Sequence, residues 1–331
     1  MPTEPEMIKG EDAPIVRPFL PPSFVGHLDA IAPTIVYHYT DQNGLMGIVR
    51  ENSIWATQIQ YLNDSTEMQR IFKIIEGHAN IKYDAISRSY INEYANYKIE
   101  SYDDNDTPTP TMVSGDYWRQ LIALATGDFV LGSIAQDVFI ACFCSEGDLL
   151  SQWRGYSGGA YGYSLGFTSQ GLVQMALASN FIFGSCIYNA NLQNAIAQDL
   201  IDYYKECVDS GRSLDDTIAE FAKSAGICGA FFKDESFKEE REWRLVSIPA
   251  SRQIAHFRAG KSMIAPYTKI SIGCGSEPSI KHLFVGPCPH MRLSRASVLG
   301  LLRREGVSGR SETAQQNLPE VLASSIPFRN W

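Results

Sequence analysis

"TIVYHYTDQNGLMGIVRENSIWATQIQYLND", residues 34–64, sets the fold class. Residues 35–39 alternate and are β-branched or aromatic, which predicts a strand. Thr40 or Asp41 can cap a helix whose apolar residues Leu45, Ile48 and Val49 follow the i, i+3, i+4 spacing of one helical face. "SIWATQI", residues 53–59, reads as a second strand. A strand that enters a helix and returns as a strand predicts a mixed α+β chain.

Working outward, "NDSTEMQRIFKIIEGHANI" opens with helix-capping residues and continues as an amphipathic helix. Residues 1–33 are proline-rich and polar, an arm before a domain spanning 34–331. Residues 80–130 and 190–225 read as helical insertions, the first broken by "YDDNDTPTPTMVSGD", which has no apolar period and predicts a flexible segment. Strands are expected at residues 138–144, in "GYSLGF", in "EREWRLVSIP" and in "KHLFVGPCP". "SRASVLGLLRREG" predicts a helix with Ser294 as its cap and Gly306 as its stop, and "SSIPFRNW" a short edge strand. The economical reading is one α+β domain.

Of the 331 residues, 44% are hydrophobic and 20% charged, an ordinary globular composition. A net charge of −9 argues against non-specific DNA binding, which needs a basic footprint. The N-terminus lacks the basic-then-apolar pattern of a secretory signal, and no apolar run has membrane-spanning length. The seven cysteines are scattered and odd in number, so buried thiols in a reducing, cytoplasmic setting are expected. Cys142 and Cys144 form a C-x-C without the second pair that a zinc site uses, so no metal is expected.

Four blocks carry polar chemistry. In "YHYT", His38 and Thr40 share a strand face just before a helix N-terminus that can offer N–H groups to an anion. In "YLNDSTE", Asn63, Asp64 and Ser65 suit a helix cap. In "CFCSEGDLLSQWRGYSGGAYGYSLGF", a strand ends at Ser145, and in the loop expected beyond it Arg154, Tyr156 and Tyr161 sit among glycines. Arginine forks onto phosphate or carboxylate, aromatics stack on heterocycles, and glycine admits a close backbone approach. In "FKEEREWRLV", Glu240, Glu242 and Arg244 are expected on one strand face, the two carboxylates about 7 Å apart. Each block also has a plain structural use: a core histidine, a cap, an Arg–Glu brace, a charged strand face.

Together, "YHYT", "GLMGIV", "IWATQIQYLNDSTE", "ACFCSEGDLLSQWRGY", "GYSLGF", "FKEEREWRLV" and "FVGPCP" resemble a bacterial family catalogued as domain of unknown function 2971, over roughly residues 35–305. More distantly, the order of a His-bearing strand, a Ser-bearing strand end and an E-x-E strand resembles ADP-ribosyltransferases of the DarT and PARP types. That likeness implies a split, mostly antiparallel sheet. It implies NAD as substrate, with transfer to a macromolecule or hydrolysis, in a bacterial defence or toxin setting. It implies His38, Thr40, Ser145, Arg154, Tyr156 and Tyr161 toward the nucleotide, with Glu242 as catalytic carboxylate and Glu240 beside it. The chain departs from that pattern in lacking the Ser-Thr-Ser segment. Two alternatives stay open: a metal-dependent nuclease or phosphodiesterase using Asp64, Glu67, Glu240 and Glu242, and a non-enzymatic sensor or interaction module.

Overall fold

A computed structural model describes residues 18–62, 67–100, 112–126, 138–156, 161–249, 255–260, 263–272, 280–305 and 318–327. After a short helix α1 (Pro22–Leu28), the opening block folds as β1 (Ile35–Thr40), α2 (Gln42–Glu51) and β2 (Ser53–Gln58). Asp41 is the cap, its carboxylate accepting from the Gly44 N–H at 2.7 Å. There follow α3 (Glu67–Glu100), α4 (Met112–Thr126), β3 (Phe139–Cys144), α5 (Leu150–Tyr156), β4 (Tyr163–Thr168), α6 (Ser169–Ser179) and β5 (Phe181–Ser185). The chain continues through α7 (Ala190–Asp209), α8 (Leu214–Gly229), β6 (Glu242–Ser247), β7 (His256–Ala259), β8 (Ile264–Ser271), β9 (Ile280–Val285), α9 (Met291–Glu305) and β10 (Glu320–Ala323).

The strands form one open sheet in the order β10-β9-β4-β1-β3-β2-β8-β7, with β6 on the far edge of β3 and β5 outside β6. All pairings are antiparallel except β10 on β9. The expected α+β class and mostly antiparallel sheet are therefore present. The split has a specific form. Along one edge, β3 pairs with β6 from Ile140 to Cys144. The other edge is shared: β2 takes Phe139 and Ile140, and β1 takes Cys144. The sheet forks there into a β1-β4-β9-β10 wing and a β2-β8-β7 wing.

Two apolar layers sandwich the sheet. On one face Ile140 and Val246 pack with residues of α3, α4, α7 and α8, among them Ile71, Tyr117, Leu200 and Phe221. On the other, Phe139, Ala141, Phe143 and Leu245 pack with α2, α6 and α9. A fully buried aromatic or aliphatic side chain is worth about 1.5–3 kcal/mol, so these layers supply the main stabilising term. The helical segments pack into this layer: α3 on α4 and α8, and α7 on α8. The last five residues of "YDDNDTPTPTMVSGD" begin α4; the rest of that break lies outside the described residues.

Three expectations need correcting. Helix α9 begins three residues before Ser294, at Met291. The C-terminal strand is Glu320–Ala323, ahead of "SSIPFRNW". Residues 150–156 are a helix, where a loop was expected. No helix among the described residues is long and apolar enough to cross a membrane.

Candidate functional site

The fork leaves a main-chain carbonyl to be accounted for. On the β1/β2 edge of β3, Ile140 pairs with Thr57 and Cys144 with Tyr37, while Cys142 between them has no strand partner. A buried carbonyl needs a donor. The Cys142 carbonyl finds it in the His38 ring, with Nδ1 2.9 Å away. A carbonyl only accepts, so Nδ1 carries the proton and Nε2 holds a lone pair while the ring is neutral. Burial keeps it neutral by lowering its pKa, more than the Cys142 carbonyl raises it, and the Arg258 charge acts in the same direction as burial. The ring packs against Phe143, at 5.6 Å between centroids.

Thr40 ends β1 on the same face as His38. It packs so tightly on α2 that a Cβ at Gly44 would lie 1.9 Å from its hydroxyl, so only glycine fits there. Thr40 pairs with Tyr163, which lines a cleft of about 170 Å³ with Gln42, Tyr161, Cys288, His290 and Ser294. Gln42 opens α2 and Ser294 lies in the first turn of α9, so two helix starts border this cleft.

Glu242 lies on the other face. It pairs with Cys144, which pairs with Tyr37, so these three side chains share a face that alternation denies to His38. Glu242 is 5% exposed. Arg244 grips it through Nε at 2.8 Å and Nη2 at 3.1 Å, and donates from Nη1 to the Ala230 carbonyl at 2.6 Å. Lys233, four residues beyond the end of α8, ion-pairs with both Glu242 and Glu240. Burial opposes ionisation of Glu242, but Arg244 and Lys233 outweigh it and pull the carboxyl down to about 2. Two cations and two carboxylates make a neutral cluster, buried except for the half-buried Glu240. Tyr156 faces it, its hydroxyl pKa raised by burial and then by Cys142, Glu242 and Glu240. Burial and the Glu242 charge likewise push the Cys142 thiol well up. The Tyr188 hydroxyl accepts the Glu242 N–H at 3.0 Å and borders a second cleft of about 450 Å³ with Asn189, Asn191, Glu235 and Lys238.

The sequence-expected residues are therefore divided. Glu240, Glu242 and Tyr156 come together; His38 and Thr40 share the opposite face, with Tyr161 in the cleft beyond Thr40. Glu240 is not on the strand: it closes a 3-10 turn, and Arg241, at φ +45°, turns the chain between the two glutamates. Ser145 donates its N–H to the Arg241 carbonyl at 3.2 Å, closing the end of the β3–β6 ladder. Arg154 is exposed on α5, while its neighbour Trp153 is buried and donates to Asp148 at 2.8 Å. Asp64 lies outside the described residues, and no group of three or more metal-ligating side chains occurs among those described. Lys233 and Arg258 were not singled out from the sequence, because each acts only through contacts with residues distant in the chain.

Residues 152–245, well under half of the chain, match the model of a family described as "Protein of unknown function (DUF2971)". Neither the curated proteins nor the solved structures include a match to this chain. The matched stretch holds the Tyr156–Lys233–Glu242–Arg244 cluster and leaves out His38 and the fork.

Proposed function

We propose that the fork is a ribose-reading cleft and that the protein is an ADP-ribosyltransferase-like user of NAD. The observation that supports this reading best is the fixed tautomer of His38. A neutral imidazole whose Nδ1–H is committed to Cys142 offers Nε2 as an acceptor, the group that reads a sugar hydroxyl. Along the same face, Tyr161 and Tyr163 offer aromatic surface for a base, and Gln42 and His290 offer polar partners.

One observation favours a second reading, ligand binding without turnover. Glu242 is already neutralised by Arg244 and Lys233, and it points away from the face of His38. A carboxylate so engaged is poorly placed to meet a developing cation. In this reading the protein is a nucleotide sensor, and the cluster braces β6 against α8.

Calorimetric titration with NAD, combined with chromatography for released nicotinamide, separates the two. Binding that falls at least about tenfold in His38→Phe, the loss expected for one hydrogen bond to a ligand hydroxyl, supports the ribose cleft. Release of nicotinamide then supports the enzyme, and binding without release supports the sensor. Absence of NAD binding by the wild type overturns both.

A further inference from the structure

The fork holds a second group that the fold leaves incomplete. Arg258, on β7, donates from Nη2 to the Thr57 hydroxyl at 3.0 Å. Its Nε is buried and has no hydrogen-bond partner among the described residues. A buried charged donor without an acceptor is costly, and folds rarely keep one without a use for it. Its position is informative. Thr57 pairs with Ile140, and His38 bonds Cys142, two residues further along β3, so the two sites are about 7 Å apart along that strand. Alternation puts Thr57 on the Glu242 face and His38 on the other, so a ligand touching both must occupy the gap between β1 and β2.

The surroundings select the charge of that ligand. In a chain of net charge −9, strands β1, β2, β3, β7 and β8 contain no Asp or Glu. Lys269 of β8 is paired with Glu51 of α2, whereas the Arg258 charge acts on His38 itself. A guanidinium with an unused Nε–H, beside strands that carry no carboxylate, suits a phosphoryl group, whose oxygens accept its N–H donors in a fork.

We infer that Arg258 anchors a phosphoryl group of the ligand whose ribose His38 reads. This rests on the ribose-cleft reading for the identity of the ligand, but not for the anion itself. The test is calorimetry of wild type, Arg258→Gln and Arg258→Lys against adenosine, ADP, ADP-ribose and inorganic pyrophosphate, with melting temperatures measured in parallel. Loss of a charge-assisted hydrogen bond should weaken ADP and ADP-ribose by on the order of 10- to 100-fold in Arg258→Gln, with adenosine unchanged. Arg258→Lys should fall between, because it keeps the charge and loses the fork. Melting temperature should hold, since the fold gives this guanidinium few partners. Equal ADP-ribose binding by wild type and Arg258→Gln overturns the inference and leaves the ribose reading standing. Arg258-dependent binding of pyrophosphate without nucleoside preference supports the anion site and overturns the ribose reading. No binding of any probe by the folded wild type overturns both.

Discussion

Glu242 keeps its charge in a position that is almost wholly shut off from water, because Arg244 and Lys233 surround it. Breaking one member of such a group leaves an uncompensated buried charge. Glu242→Gln should therefore cost about 3–5 kcal/mol in urea unfolding, much more than an exposed strand charge would. Its pH dependence follows from the depressed carboxyl. The folded value is about 2, against about 4.3 unfolded. The stabilisation is complete above the unfolded value and lost as pH falls from about 4 toward 2. Wild type should thus lose stability over that range, and Glu242→Gln should lose less. A Glu242→Gln variant as stable as wild type would show that the carboxylate is not a brace. Some of this was legible: the alternation of "EREWRL" places Glu242 and Arg244 on one face. Lys233 was not, because it lies in the irregular segment after α8 and meets the glutamates only after the chain has turned back. Nor was Arg258, whose meaning depends on which strands lie beside β7.

At the level of elements, α5 and the C-terminal strand are held by one side chain. Asp148 accepts from the Trp153 indole at 2.8 Å, from the Ser324 hydroxyl at 2.5 Å, and from the Ser325 amide at 2.8 Å and hydroxyl at 2.9 Å. Burial opposes its ionisation, but these donors prevail and hold its pKa below the ordinary value. Asp148→Ala should lower the local opening energy of residues 318–327 by about 1–3 kcal/mol, read as faster amide exchange there with the sheet core unchanged. Unchanged exchange would mean that the β9 ladder alone holds β10. Long, strongly patterned elements such as β1, α2, β3 and α7 were legible because their periodicity is local. The β7–β8 hairpin was not. "HFRA" is too short to signal a strand, and Pro266 argues against a central one. Pro266 is tolerated because the β2 ladder ends at the Thr57–Tyr267 pair just before it, so its missing N–H costs no bond on that side. Helix α5 was hidden by the glycines that follow it, which made the whole stretch read as a loop.

On the scale of the molecule, β3 is the junction: β1, β2 and β6 all depend on it. The segment that matches the family model contains β4, β5 and the first four residues of β6, but β1, β3 and β9, which flank β4 and β6, lie outside it. Residues 152–245 expressed alone should give helical circular dichroism without a cooperative unfolding transition, whereas a cooperative melt would make that stretch an independent unit. The sequence announced a split sheet only through the family likeness, because nothing local in "YHYT" or "SIWATQI" tells which strand they will both join. That dependence has a consequence in time. Strands β1 and β2 do not pair with each other. β1 must wait for β3 and β4, β2 for β3 and β8, and β3's other edge for β6, all distant in the chain. Loops of that length close slowly and against entropy, so folding should be governed by these late, long-range closures. Until then the nascent chain presents "IVYHYT" and "SIWATQ" as bare, sticky strands, and its yield in a cell should depend on chaperones that shield them.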